Sequence, residues 1–470
     1  MKWILLVLGI AACTKHNENI CCVTAEQCSA IGVDDLRTCP VGLTCSDNVC
    51  VQGLCSLDVD CPSETPVCTG GLCHVCDLNH GCPATAPVCS LEPEGCAGCE
   101  TGADCATFGS MALCDTNRGA CVECIGDTDC PGPRPRCDAG ECRRCLIDDE
   151  CPSTVCDVDQ GTCVASAAIR YASPGGVDIN NCSQSSPCTV KKAVDSTDTL
   201  HPWVRMVPGV YNSSPITTNA SCTLVGTGAT SLTFGISAST GASLTVRGPS
   251  MTTAHCGVNS SISIRDASLV QGGSASSCRM TLRHVTVGGG GLYFQDNVVA
   301  SIDRSKIDTL HIFTQSGIAS STVTVSNSIL RSLDLSILPT SPTKLAFSFN
   351  TFYTASGVSV TCGDDASTPT GISFVNNIFY APGTLNSVLS AGTKCIFNNN
   401  VIYPQTQSVG TNTIVSDPKL ADPTNGNLHL QASSPAIDAA APTVDEPSGD
   451  YEDKPRPVGL RRDIGAFEYQ

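Results

Sequence analysis

The sequence predicts an all-β chain: a parallel β-helix, a single-stranded solenoid, preceded by a disulfide-rich region of small repeats. Three observations carry that expectation. Twenty-six of the 34 cysteines fall between Cys21 and Cys163, and from Cys55 onward they form units of four that recur every 21 to 25 residues. From residue 171 onward, short stretches alternate apolar with polar residues, each followed by a polar corner, at intervals of 18 to 27 residues. Helical periodicity is nearly absent from both halves, and repeats of this length mark stacked arrays.

The chain opens with Lys2 and a ten-residue apolar run from Trp3 to Ala12, too short to span a bilayer but right for the core of a signal peptide. Ile10-Ala11-Ala12-Cys13 resembles the bacterial lipobox. The resemblance implies cleavage before Cys13 and lipidation of its thiol, with residues 1–12 as signal peptide and 13–20 as a lipidated tether to the membrane. Thr14 stands where an aspartate would retain such a protein at the inner membrane, so the expected address is the outer membrane, facing the exterior. The sequons at Asn212 and Asn259 carry no weight in such a route.

Residues 14–163 hold 24 acidic and 7 basic side chains, a net charge of −17, against 20 and 18 in residues 164–470. A surface of that sign repels phosphate backbones, which excludes nucleic acid as a partner. Cysteines at this density persist as an ordered set only where disulfides form, which excludes the cytosol.

Residues 21–163 form the cysteine-rich region. Its five full units start at Cys55, Cys76, Cys99, Cys124 and Cys145, each with a Cys-x5-Cys loop and then a third and fourth cysteine; a degenerate unit precedes them. Units this small and this poor in apolar residues cannot bury a core, so two disulfides per unit are expected to replace one. The Cys-x2-Cys pairs where units meet (Cys73/Cys76, Cys96/Cys99, Cys121/Cys124, Cys142/Cys145) have zinc half-site spacing, but an oxidising compartment favours disulfides. The loops are acidic (Asp58, Asp60, Asp104, Asp127, Asp129, Asp148 to Glu150), which allows calcium as a cofactor or a solvated acidic face. The region resembles the cysteine-rich repeats of large bacterial surface lipoproteins, which implies a stalk or interaction array and no catalytic residues.

After a linker at 164–170, the β-helix is expected over 171–415. Ile262/Ile264, Met280/Leu282, Val323/Val325, Leu345/Phe347/Phe349 and Ile372/Phe374 alternate as strands with one buried face. The corners align as Asp266, His284, Arg304, Asn327, Asn350, Asn377 and Asn400. Asparagine at such bends suits left-handed backbone, where a sandwich would instead require hairpin turns.

Two segments carry a family resemblance. Tyr171-Ala172-Ser173-Pro174-Gly175 through Ala193-Val194, with Val207-Pro208-Gly209-Val210-Tyr211, resembles the opening coils of pectin-lyase-like right-handed β-helix proteins. Asp417-Pro418, Asn427-Leu428-His429-Leu430, Ser434-Pro435-Ala436-Ile437-Asp438, Arg456-Pro457 and Asp463-Ile464-Gly465-Ala466-Phe467-Glu468 resemble the choice-of-anchor Q end segment. Residues 416–470 are therefore expected to cap the helix, a last strand covering its open end, with Asp438 and Asp463 in structural roles.

Among the seven cysteines of this half, Cys182–Cys188 and Cys362–Cys395 are the expected pairs and Cys222–Cys256 a further one, leaving Cys278 single. One outer face invites a site. Leu310-His311-Ile312, Leu333-Asp334-Leu335 and Val358-Ser359-Val360 align on successive coils with His311, Asp334 and Ser359 outward. A catalytic triad is ruled out by order, because His311 and Ser359 would sit two coil spacings apart, roughly 9.6 Å. Asp308 with Arg331, and His311 with Asp334, suit cross-coil pairs. Asp308, His311, Arg331, Asp334 and Ser359 thus form an expected glycan-contact face, with no catalytic and no metal residues assigned. Tyr353, Tyr380 and Tyr403 share one register as a ladder. The expected function is non-enzymatic polysaccharide or surface binding, with a polysaccharide lyase or glycoside hydrolase as the alternative.

Overall fold

The computed structural model describes residues 21–470 except scattered positions between 23 and 93, position 131, and residues 316–317, 338–340, 355–357, 361–370, 383–388, 392–394, 406–408 and 444–445. Two compact units part between Cys163 and Val164. Among the described residues, no helix is long and apolar enough to cross a membrane.

In the first unit each repeat is an antiparallel hairpin that sets its third and fourth cysteines directly opposite one another, as in Cys89 with Cys96 and Cys114 with Cys121. These neighbours do not bond to each other. The first cysteine bonds the third and the second the fourth: Cys76–Cys89 with Cys82–Cys96, Cys99–Cys114 with Cys105–Cys121, Cys124–Cys137 with Cys130–Cys142, and Cys145–Cys156 with Cys151–Cys163. Each bridge closes a loop of 11 to 16 residues, which stabilises by about 3 kcal/mol through the unfolded state. Every cysteine of the four Cys-x2-Cys pairs lies in a disulfide inside its own repeat, so the zinc half-site reading fails. The degenerate unit closes through Cys21–Cys45 and Cys22–Cys28.

The second unit is a parallel β-helix with three faces. Face A is an eleven-stranded parallel sheet that starts at Ile169–Ala172, inside the expected linker, and ends at Ile396–Asn398. Face B runs from Gly209–Tyr211 to Val401–Tyr403, and face C starts at Ile216–Thr218. In two consecutive coils faces B and C merge into the eight-residue strands Lys306–Phe313 and Ile329–Ser336. Alternation places Ile262/Ile264, Met280/Leu282, Val323/Val325 and Leu345/Phe347 inside, all fully buried. Like side chains stack coil on coil: Phe347 on Phe374 and Phe374 on Phe397, each at 4.7 Å, and Phe352 on Phe379 at 4.6 Å. A short helix, Val190–Asp195, capped by the Thr189 hydroxyl, packs Val190, Ala193 and Val194 against the opening coils.

The corner between faces A and B departs from the expected alignment by one residue. Asp266, His284, Arg304 and Asn327 have left-handed φ of 46° to 52°, as expected, but the next three bends fall on Phe349, Asn376 and Asn399. Asn350, Asn377 and Asn400 instead point inward and are fully buried. They continue a polar ladder in which each backbone N–H donates to the side chain one coil on: Val285 to Ser305, Ser305 to Ser328, Ser328 to Asn350, Asn350 to Asn377 and Asn377 to Asn400, at 2.9 to 3.1 Å. An amide reaches both the next coil and an interior carbonyl, so the ladder satisfies five successive inner corner N–H groups, from Val285 to Asn377.

The C-terminal segment lies along the flank of face B rather than as a strand across the open end. Leu420, Leu428, Leu430, Ala436, Ile464 and Phe467 share a core with Ile329, Ile378 and Val401 of the outer side of face B and with Phe349 at the bend before it. Hydrogen bonds that each use its backbone fasten it over several coils, from Arg304 Nε to Asp450 O (2.8 Å), Gly465 N to Asn376 O (2.9 Å) and Asn399 Nδ2 to Ala439 O (2.7 Å). Gly465 has φ +99°, and a Cβ there would meet Ile378 at 2.6 Å, so only glycine allows this approach.

Candidate functional site

The outward side of face C carries one continuous row. Thr217, Ser237, His255, Ser274, Tyr293, His311 and Asp334 follow one another in register on seven successive coils. Thr217 and Ser237 share a hydrogen bond at 2.8 Å, and His255 Nδ1 lies 2.8 Å from Ser274 Oγ and its Nε2 3.1 Å from Thr253 Oγ1. Tyr293 stacks on His311 with ring centroids 4.4 Å apart and planes within 6°. His311 Nδ1 in turn meets Asp334 Oδ2 at 3.1 Å. Tyr293 remains 43% exposed and Asp334 is open to solvent, so the row is a surface feature.

Of the five residues the sequence singles out, four come together here. Asp308 and Arg331 pair at 3.6 Å at the bend between faces B and C, on the same two long strands as His311 and Asp334. Each pair joins a half-buried partner to an exposed one at the surface, worth at most about 1 kcal/mol. Ser359 lies on Val358–Val360, which pairs with Leu389–Ala391; its side chain lies outside the described residues, as do Cys13 and Cys362. Sequence reasoning missed Tyr293, His255 and Ser274. The alternation around Tyr293 (Leu292 and Phe294 inward) was the signal that would have placed it outward.

The tyrosine ladder is present, with Tyr353–Tyr380 at 6.1 Å and Tyr380–Tyr403 at 6.0 Å. Tyr353 and Tyr380 pack partly against the core under the C-terminal segment. Burial pushes the Tyr380 hydroxyl above its usual range, helped by Asp417 and the neighbouring tyrosines.

The acidic loops of the repeats are engaged by their own backbone. The first acid of the loop accepts from the N–H of the third cysteine: Asp58 from Cys68 at 2.8 Å, Asp127 from Cys137 at 2.8 Å and Asp148 from Cys156 at 2.9 Å. The last acid turns back over a one-turn 3-10 helix. Asp104 accepts from Glu100 N and Thr101 N, Asp129 from Ile125 N and Gly126 N, and Glu150 from Leu146 N. Backbone N–H donors hold Asp104 and Asp129 below the ordinary aspartate range. Arg143 leads the causes that draw Glu150 down to about 2.

Asp438 and Asp463 also serve the backbone. Asp463 accepts from Asp438 N (2.7 Å) and Tyr469 N (2.6 Å), and Asp438 from Arg461 N (2.8 Å). Beside them, Arg456 Nε sits 3.1 Å from Glu468 with both side chains sealed from solvent, although the N–H is not aimed at the oxygen. Burial raises the Asp463 and Glu468 carboxyls and lowers the Arg456 guanidinium to about 10.

The disulfides of the β-helix correct one expectation. Cys182–Cys188 forms, and Cys395 is disulfide-bonded. Cys222–Cys256 does not: Cys256 bonds Cys278, and Cys222 is a buried free thiol whose pKa burial raises. Register explains it. Cys222 aligns with Leu244 and then Ile262 on face A, two coils from the corner that holds Cys256, about 9.6 Å at the coil spacing. Cys278 turns the next coil at that corner, within the Cα–Cα distance of 6.1 Å that the bridge shows.

No family model matches the chain, and no curated protein matches it. Among solved structures it is similar to the crystal structure of pectate lyase Pel9A, at 13% identity over 65% of this chain and 100% of that one, with a TM-score of 0.38. That likeness concerns the path of the backbone, and nothing about the site follows from it.

Proposed function

We propose that this chain is a non-enzymatic cell-surface lipoprotein whose β-helix binds polysaccharide or a like surface, with the acidic repeats as a disulfide-held spacer. The observation that supports binding is the outward row on face C. Hydroxyl, imidazole and phenol groups recur there at the coil spacing beside a solvent-exposed aromatic, the mixture of hydrogen-bonding and stacking groups that a sugar chain uses. The lipobox-like Ile10-Ala11-Ala12-Cys13 supports attachment to the outer membrane through Cys13.

The test uses the full chain against immobilised neutral and acidic glycans, measuring retention together with new reducing or unsaturated ends. Retention without product supports the reading. Product formation would replace it with a lyase or hydrolase, and absence of retention on every glycan would leave an envelope protein without a glycan ligand. For the anchor, Cys13→Ala is expected to abolish labelling by a radioactive fatty acid and to move the chain out of the membrane fraction; unchanged labelling refutes it.

A further inference from the structure

The row on face C is uneven in height, and the unevenness defines a site. Tyr293 has one ring face covered by His311. Its other face looks along the helix axis over Ser274, whose side chain is a single hydroxyl, toward His255 one coil further. Tyr293 and His255 are therefore two coil spacings apart, about 9.6 Å. After the thickness of the flanking groups is removed, the step between them admits one saturated six-membered ring at van der Waals distance from the tyrosine. Ser274 is the floor, and its hydroxyl is already oriented by His255 Nδ1 at 2.8 Å.

The surroundings choose among sugars. Two residues further along the same strands, Ser276 and Gln295 also face outward and lie in register, offering a hydroxyl and an amide beside the aromatic. The seven residues of the row include no lysine or arginine. The acid on it, Asp334, is exposed and faces His311, while Arg331, at the bend three residues before Asp334, is paired with Asp308. A uronate at the step would find no lysine or arginine on the row to pair with, and the row's one acid lies three coils beyond Ser274.

We infer that the step over Ser274, between Tyr293 and His255, is a subsite for a neutral pyranose that presents an unbroken C–H face, of the glucose or N-acetylglucosamine type. The C–H face stacks on the free face of Tyr293, and Ser274 and Gln295 hydrogen-bond its equatorial hydroxyls. His311 is a positioning residue: stacked behind the phenol ring and held by Asp334, it fixes the plane on which the sugar lies. This subsite rests on the polysaccharide-binding reading above and narrows it to one ligand class and one place.

The experiment is calorimetric titration of the full-length protein in detergent with cellohexaose, chitohexaose and hexagalacturonate. Tyr293→Ala removes the platform, and Ser274→Leu fills the step while leaving the tyrosine. Tyr293→Phe keeps the ring, and Thr324→Leu alters an exposed position on face A, away from the row. Circular dichroism melts check that each variant is folded. A neutral hexamer is expected to bind the wild type, with affinity reduced roughly tenfold or more by Tyr293→Ala and by Ser274→Leu, largely retained by Tyr293→Phe, and unchanged by Thr324→Leu. Equal binding of the neutral hexamers to wild type, Tyr293→Ala and Ser274→Leu would overturn the subsite while leaving polysaccharide binding intact. Binding of hexagalacturonate alone would overturn the ligand class. Binding of none of the three would overturn the subsite, while the reading beneath it falls only if the wider set of immobilised glycans also fails to retain the protein.

Discussion

Replacing Arg456 by methionine tests how the C-terminal segment is held to the β-helix. The Arg456 side chain is fully sealed, pairs with an equally sealed Glu468 at 3.1 Å, donates to Gly465 O at 2.8 Å and to Asn327 Oδ1 at 3.2 Å, and lies 5.3 Å over the Phe349 ring. Methionine retains the length and loses every polar contact. Breaking a buried pair from one side costs about 3–5 kcal/mol, because the partner charge is stranded. Glu468 is already raised by burial from an ordinary value of 4.5, and loss of the guanidinium raises it further. A carboxyl raised in the folded state contributes stability that is present below the unfolded pKa and lost as pH rises through the folded one. The cost of Arg456→Met is therefore largest at neutral pH and shrinks as pH falls toward 4.5, and Arg456→Met/Glu468→Leu recovers part of it at pH 7. Hydrogen exchange of residues 436–470 with pulse proteolysis measures the local opening. A cost under about 0.5 kcal/mol at pH 7, or the same cost at both pH values, would refute the reasoning.

The asparagine ladder and the acidic loops give two further tests. Asn377 accepts from Asn350 N and Nδ2 and donates to Phe347 O and Asn400 Oδ1. Asn377→Ala strands the buried Asn350 N–H, so it is expected to destabilise by about 2–3 kcal/mol and to speed amide exchange at residues 349–351; unchanged exchange there contradicts the ladder. In the repeats, Asp129 is held below 3.8 by the amides of Ile125 and Gly126. A depressed carboxyl contributes stability present above its unfolded pKa and lost as pH falls through the folded one. The Ile125 and Gly126 amide shifts are thus expected to titrate together with a midpoint below 3.8, and a midpoint at or above that value refutes the contact.

The β-helix was legible because its determinants are local and periodic. Ile262/Ile264 and Leu345/Phe347 alternate whatever lies around them, and the coil length sets the stacking. The repeats were legible for the same reason, down to two disulfides per unit. Which cysteine bonds which was not, because the hairpin puts Cys114 opposite Cys121 and still joins each to the loop. The corner misalignment has a physical source as well. Asn327 and Asn350 look equivalent in sequence, yet one turns the backbone and the other fills the interior. Asparagine suits both tasks, through its tolerance of left-handed φ and through its paired donor and acceptor. Phe349 takes the bend in that coil against its own preference, and its ring is buried against the C-terminal segment under Arg456. A contact 107 residues away in the chain cannot be read from a local pattern.

The site was half legible for a related reason. His311 and Asp334 stand out because polar, ionisable side chains interrupt apolar strands, and their pairing follows from the register alone. Tyr293 does not stand out, since an aromatic between Leu292 and Phe294 reads as one more core residue. Only the phase of the alternation turns it outward, and only the smallness of Ser274 one coil away leaves its ring face open. A surface on a stacked fold is therefore set less by which large residue is present than by which small one sits beside it. Exchange of Ser274 for a large side chain would close this face without touching a single residue that looks functional.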